Sequence, residues 1–239
     1  PAGGTRVQLC VRPAPTGENA TGNVWLTDVS YEEVSSQPIS LQQAMNRGFQ
    51  DDVASDGNGG WTDQGDNDLR GMKPGELNVS KIPFTVVDPA KNNGNSVIAL
   101  RHQGAGFLQQ ASVPLNAEKY DRIYLLHAGA WANQKTPVGY VDFHYTNGTT
   151  ATQSISTGEQ IGDWWNPGIL RQAAPIPLET ANPQKSPVYL VAASLENPSP
   201  DLAIDHLTFR AGDTPAIWLI LAATGSNGPA VSLKTVVDL

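Results

Sequence analysis

Between Asp51 and Arg70 the chain gathers six aspartates, two asparagines and four glycines around Trp61, with no basic residue before Arg70. Carboxylates and amides are hard oxygen donors of the kind calcium selects, and glycines let a loop turn tightly enough to aim carbonyls at an ion. The donors this run offers are Asp51, Asp56, Asn58, Asp63 and Asp66. Three readings stand: a solvated surface loop, a loop ordered by a structural Ca2+, or carboxylates that touch a ligand directly. Asp56-Gly57-Asn58-Gly59-Gly60 opens like an EF-hand loop. Its twelfth position is Asn67 rather than Glu, and no helices flank it, which excludes that motif.

Sugars call for a second chemistry: aromatic faces for the C–H surface of a pyranose, with planar polar groups reaching the hydroxyls. Of six tryptophans, Trp61, Trp131, Trp164 and Trp165 sit in loops or at strand ends, where binding residues gather. Arg70, Asp163 and Asn166 are the polar partners expected beside them. Trp25 and Trp218 lie inside apolar runs and read as core. Neighbours on a strand point to opposite faces, so at most one of Trp164 and Trp165 turns inward. Tyr140, Asp142 and His144 share a strand face, either a second platform or a solvated sheet surface.

Catalytic patterns are scarce. A glycosidase needs two carboxylates about 5–10 Å apart, and only Glu159 with Asp163 offers such a pair, four positions apart at a presumed strand end. There is no Gly-x-Ser-x-Gly elbow, His-Glu-x-x-His, phosphate loop or dinucleotide fingerprint. The four histidines lack metal-ligand spacing, and His127 reads as a satisfied core residue. Cys10 is the sole cysteine, which excludes an internal disulfide, and it reads as filler. The chain is expected to be non-catalytic.

These residues need a scaffold, and its class follows from composition and pattern. The formal charge of −8 and pI near 4.9 argue against nucleic acid and anionic membranes as partners. No apolar run approaches the roughly 18 residues of a membrane span. Sparse charge with abundant Gly, Asn, Thr and Pro suits a secreted β protein, and Asn19, Asn78 and Asn147 head glycosylation sequons. The chain begins at Pro1 without a signal peptide, as a processed product or an excised piece would. One short helix is expected, with Ser40 as N-cap and Leu41, Ala44 and Met45 inward.

Elsewhere the spacing of Gly, Pro and Asn predicts strands near 5–12, 23–34, 82–88, 95–101, 106–114, 121–131, 138–146, 149–156, 159–165, 187–195, 203–210, 216–224 and 230–237. With no intervening helices, these imply an all-β antiparallel sandwich. Ile123-Tyr124-Leu125-Leu126 and Ile217-Trp218-Leu219-Ile220-Leu221 are apolar on both faces, as central strands are. Val138 to Ser156 predicts a hairpin turning at Asn147-Gly148 in a type I′ turn, with Val141, Phe143 and Tyr145 on its core face. The ends read separately: 1–35 as a strand pair or the tail of a preceding module, 36–225 as the sandwich, and 226–239 as a last strand or linker.

Two series of residues resemble known modules. The first runs Phe49-Gln50-Asp51-Asp52, Gly59-Gly60-Trp61-Thr62-Asp63-Gln64-Gly65, Asn67-Asp68-Leu69-Arg70, Ile82-Pro83-Phe84 and Asp88-Pro89, then Leu125-Leu126-His127-Ala128 and Ile161-Gly162-Asp163-Trp164-Trp165. It resembles the galactose-binding-domain-like sandwiches (jelly rolls) attached to bacterial polysaccharide-degrading enzymes. The second, Gly22-Asn23-Val24-Trp25-Leu26-Thr27-Asp28-Val29-Ser30, resembles the closing strand of a xylan- or glucan-binding module, with Thr27 where that strand usually has aspartate. The resemblance implies a structural calcium, sugar binding at loop tips, and neighbouring domains in a larger secreted or cell-surface chain. The function expected is tethering to polysaccharide or another glycan. The rival is a structural subunit of an extracellular assembly that exchanges terminal strands between copies; a glycoside hydrolase ranks below both.

Overall fold

A computed structural model describes residues 35–132, 136–178, 187–233 and 237–238. The chain divides into two compact units, Pro1–Tyr31 and Glu32–Leu239, and the account that follows concerns the second. The expected strands 5–12 and 23–34, together with Cys10, Asn19, Trp25 and the Thr27 segment, lie outside the described residues.

The strands are β1 (Ser35–Ile39), β2 (Gly75–Val79), β3 (Ile82–Val86), β4 (Ile98–Leu100), β5 (Gln110–Glu118), β6 (Arg122–Ala130), β7 (Pro137–Tyr145), β8 (Thr150–Ser156), β9 (Ala173–Leu178), β10 (Val188–Glu196), β11 (Ile204–Ala211), β12 (Ile217–Asn227) and β13 (Val237–Asp238). One sheet runs β1-β12-β6-β10-β9, with β4 also paired to the long β12. A second runs β5-β11-β7-β8, and a small third is β13-β2-β3. Every ladder between these strands is antiparallel. The molecule is an all-β sandwich. Among the described residues no helix is long and apolar enough to cross a membrane.

The doubly apolar strands explain the layering. Ile123 and Leu125 of β6, with Trp218 and Ile220 of β12, face the four-stranded sheet and meet Val141, Phe143, Tyr145, Leu207 and Phe209. Tyr124 and Leu126, with Ile217, Leu219 and Leu221, face the opposite way into a second core containing Trp61, Leu69, Phe84, Trp164 and Leu190. The six-stranded sheet is therefore buried on both faces, and alternation along a strand serves two cores. Trp218 packs so closely on Gly139 that a Cβ there would lie 2.3 Å from its ring. His127 is fully buried: Nδ1 accepts from Trp218 Nε1 at 3.0 Å, and Nε2 donates to the Gln160 carbonyl at 3.0 Å.

Several expectations need correction. The helix at Ser40 is one 3-10 turn, Gln42–Ala44, entered from Leu41 without a side-chain cap. Three residues cannot repay helix nucleation, and Leu41 and Met45 are buried by the sandwich instead. The hairpin at Asn147-Gly148 forms, but only Gly148 takes a positive φ (86°), so the turn is not type I′. Gly148 N–H donates to the Tyr145 carbonyl, Tyr145 N–H donates to the Thr149 carbonyl, and Asn147 Oδ1 accepts from Thr149 N–H. Residues 159–165 form no strand, only isolated bridges at Ile161 and Asp163. Strands β1, β2 and β9 lie outside the expected runs. The last, Ala-Ala-Pro-Ile-Pro-Leu, carries two prolines and survives because it is an edge.

Candidate functional site

The Asp/Gly run forms the lid of the second core. Trp61 has no solvent exposure and Trp164 has 1 %, and their rings meet edge to face with centroids 5.1 Å apart. Trp164 in turn meets Trp165 at 5.5 Å. The expectation that Trp61 and Trp164 present faces to a sugar is thus corrected. Leu69, Phe49 and the apolar face of the six-stranded sheet gain more by covering these indoles than loop position gains by exposing them. Trp165 is half-buried, in keeping with at most one of the adjacent pair turning inward.

The lid can hold its indole inside because its acidic groups are turned onto the backbone. Asp51 is buried; Oδ1 accepts from Val53 N–H at 3.2 Å and Oδ2 from Gly65 N–H at 2.9 Å. Asp63 accepts from Asp56 N–H and Gly57 N–H, and Asp56 Oδ1 accepts from Asn58 N–H at 2.8 Å. Ser55, Gly57, Gly59, Asp63 and Gly65 all take positive φ, which closes the loop on itself. At Gly59 the need for glycine is double, since a Cβ would lie 2.9 Å from Asp51 Oδ1.

Asp51, Asp56 and Asp63 each bring a carboxylate oxygen into one cluster, all within 4.8 Å of one another. Burial pushes the Asp51 carboxyl up, opposed by its two backbone donors. The other two expected ligands differ from these three. Asp66 is exposed and outside the cluster, and the Asn58 amide nitrogen donates to the Asp56 carbonyl at 3.2 Å. The cluster could hold a metal ion. Its donors are all oxygen, which fits a hard divalent cation.

Two residues that pattern reading passed over complete this region. Arg47 is only 3 % exposed; Nε donates to the Gly106 carbonyl at 3.0 Å, while Nη1 and Nη2 have no hydrogen-bond partner among the described residues. Burial pushes its guanidinium down, and the fields of Asp63, Asp51 and Asp56 push it back up. Three carboxylates against one guanidinium leave two negative charges, the complement of a single divalent ion. Asp68 is the second. Its carboxylate accepts from Asp51 N–H at 2.7 Å, from Arg70 N–H at 2.9 Å and from the Arg70 guanidinium at 2.8 Å, and that bond holds Arg70 above its usual range. Arg70 Nη2 also donates to the Asp51 carbonyl at 2.8 Å, so this arginine clamps the lid. It also lines an open cleft of about 880 Å³ with Asn46, Gln50, Asn58, Asn93 and Asn95. The spacing Asp68-Leu69-Arg70 was a signal for the clamp; nothing in the sequence around Arg47 was.

The other expected ligand residues converge on a rim. Asp163 Oδ2 accepts from Ala132 N–H at 3.3 Å and Oδ1 from Trp165 N–H at 3.0 Å, tying the segment just past β6 to the turn at residues 163–166. Trp131, Asp163, Trp165 and Asn166 are thereby brought together. Trp131 is 41 % exposed and sits at φ 56°, a conformation costly for a bulky side chain. Ile169 in the same turn is 92 % exposed, and Asn166 is exposed. Glu159 is held by Arg171 at 2.9 Å, and each Asp163 oxygen accepts from a backbone N–H.

The Tyr140, Asp142 and His144 stripe faces outward from the four-stranded sheet. Asp142 accepts from Thr152 Oγ1 at 2.6 Å and from Arg210, whose guanidinium lies over the Tyr140 ring at 5.1 Å. That guanidinium holds the Asp142 carboxyl below the usual carboxylate range. No protein-family model matches the chain, and no curated protein matches it either.

Proposed function

We propose that this sandwich is a non-catalytic glycan-binding module of a secreted or cell-surface protein, with the sugar ring resting on Trp131. The observation that carries this reading is the exposed indole of Trp131 on a left-handed backbone at a strand end. An apolar ring held out in water at a conformational cost of order 1–3 kcal/mol has a use that offsets it. Asn166 and the half-buried Trp165 follow Asp163, which accepts from Ala132 N–H, and they would supply a hydroxyl-reaching amide and a second apolar edge.

In the same reading the acidic lid holds Ca2+ through Asp51, Asp56 and Asp63, the ion an all-oxygen set favours. The ion would neutralise the residual charge of the cluster. The chain's own residues carry the consequence to the rim: the lid seats Trp61, Trp61 braces Trp164, and Trp164 supports Trp165. The partner is a polysaccharide, and the module would raise the local concentration of whatever it is linked to.

Isothermal titration against soluble xylan, glucan and galactan tests the reading. Binding to at least one, weakened about tenfold or more by Trp131→Ala with folding intact, supports it; removal of one well-placed stacking contact is worth about 1–3 kcal/mol on comparable ring stacks. Binding lost in Arg70→Ala but kept in Trp131→Ala would move the sugar to the cleft. No binding to any polysaccharide would refute the reading.

A further inference from the structure

The outer face of the four-stranded sheet carries a pair of histidines that the glycan reading does not use. His144 on β7 and His206 on β11 are directly opposed across the ladder, and their rings stack with centroids 4.1 Å apart and planes 10° from parallel. A register shift lies between Ile204 and His206, in the pairing with both β5 and β7. Such a bulge brings neighbouring side chains to one face, so Asp205 reaches the ring of the residue that follows it. Its Oδ2 lies 2.7 Å from His206 Nδ1. On the other side, Thr150 Oγ1 lies 3.1 Å from His144 Nδ1.

Both imidazoles are thus engaged at Nδ1 by an oxygen, and neither Nε2 has a hydrogen-bond partner among the described residues. In the Nδ1–H tautomer each ring donates to its oxygen and keeps a free Nε2 lone pair. An imidazole whose other nitrogen donates to a carboxylate or similar oxygen is the arrangement found behind metal-ligating histidines, since it fixes the tautomer and raises ligand basicity. Both rings are half-buried at a sheet surface, within reach of an ion from solvent. The torsion between Cβ and an aromatic ring is soft, so a modest rotation converges the two lone pairs.

We infer that His144 and His206 form a surface site for a borderline divalent cation such as Zn2+, Ni2+ or Cu2+, with water filling the remaining positions. Imidazole nitrogen favours these ions over calcium, so the site differs in chemistry from the oxygen cluster of the acidic lid. It differs in place as well. The pair lies outside the four-stranded sheet, whereas the lid covers the far face of the six-stranded one. A bound ion would staple β7 to β11.

The test is titration of the untagged chain with ZnCl2 near neutral pH, in the presence of excess CaCl2. One-to-one binding is expected, weakened at least about tenfold by His144→Ala and again by His206→Ala. Asp205→Asn should weaken it by roughly 10–100-fold, as expected for a ligand's hydrogen-bond partner. Asp51→Asn should leave it unchanged. Because the pair is at the surface, thermal melts of the His144, His206 and Asp205 variants without zinc should stay close to the parent. As an independent readout, zinc should shift the ring resonances of His144 and His206 and leave those of His127 in place. Absence of zinc binding, binding that survives in both histidine variants, or binding lost in an Asp51→Asn chain whose far-UV spectrum is still that of the folded parent would each overturn the inference.

Discussion

Trp61 and Trp131 occupy opposite situations. The first lies in a loop so rich in Asp and Gly that water is its expected neighbour, yet it is fully buried. The second ends an apolar strand, β6, and stands out in solvent. The difference shows that a loop's polarity need not be spent on water. In the lid, carboxylates accept from backbone N–H groups and from Arg70, which frees the indole to seal a core. At the rim, Asp163 ties down the backbone and leaves the indole nothing to cover.

That contrast can be broken by mutation. Trp61→Ala should cost about 3–5 kcal/mol in urea unfolding, as for other buried aromatics, whereas Trp131→Ala should stay within about 0.5 kcal/mol. Comparable losses for both would show that burial does not separate them.

Next in size comes acid sensitivity at His127, whose pKa burial lowers to about 4 from the ordinary 6.5. Between those values the unfolded chain binds the proton and the folded one does not. Stability is then full above pH 6.5 and falls as pH drops toward 4, by roughly 3 kcal/mol in the limit. His127→Gln, which can keep an acceptor for Trp218, should flatten that acid limb in pH-dependent denaturation. An unchanged slope would contradict the neutral, buried imidazole.

Asp68→Asn should cost about 1–3 kcal/mol, less than a wholly buried pair because Arg70 is partly exposed, and it should loosen the lid. Amide exchange at Asp51 and Gly65 would report this directly, and unchanged protection there would sink the clamp.

How much of this was legible depends on whether the signal was local. The doubly apolar runs at 123–126 and 217–221 marked central strands because only a sheet covered on both faces tolerates them. The hairpin near Asn147-Gly148 was readable from its turn residues, though not its turn type, because Asn147 spends its side chain on Thr149 instead of adopting a positive φ. The three clustered aspartates were named, yet Asp66 and Asn58 could not be told from them by composition. Inward and outward carboxylates are sorted by hydrogen bonds to residues such as Gly65 and Val53. Arg47 escaped notice because its partners come from the fold, not from neighbouring positions. Strand β9 hid behind its two prolines, which argue for an edge and equally for a loop.

If, as proposed, a divalent cation holds the acidic lid, thermal unfolding in CaCl2 should differ from unfolding in EDTA. Saturating calcium should raise the midpoint of the parent by about 5 °C or more, with no such rise in Asp51→Asn or Asp63→Asn. A midpoint that ignores both calcium and EDTA would rule out a lid held by calcium.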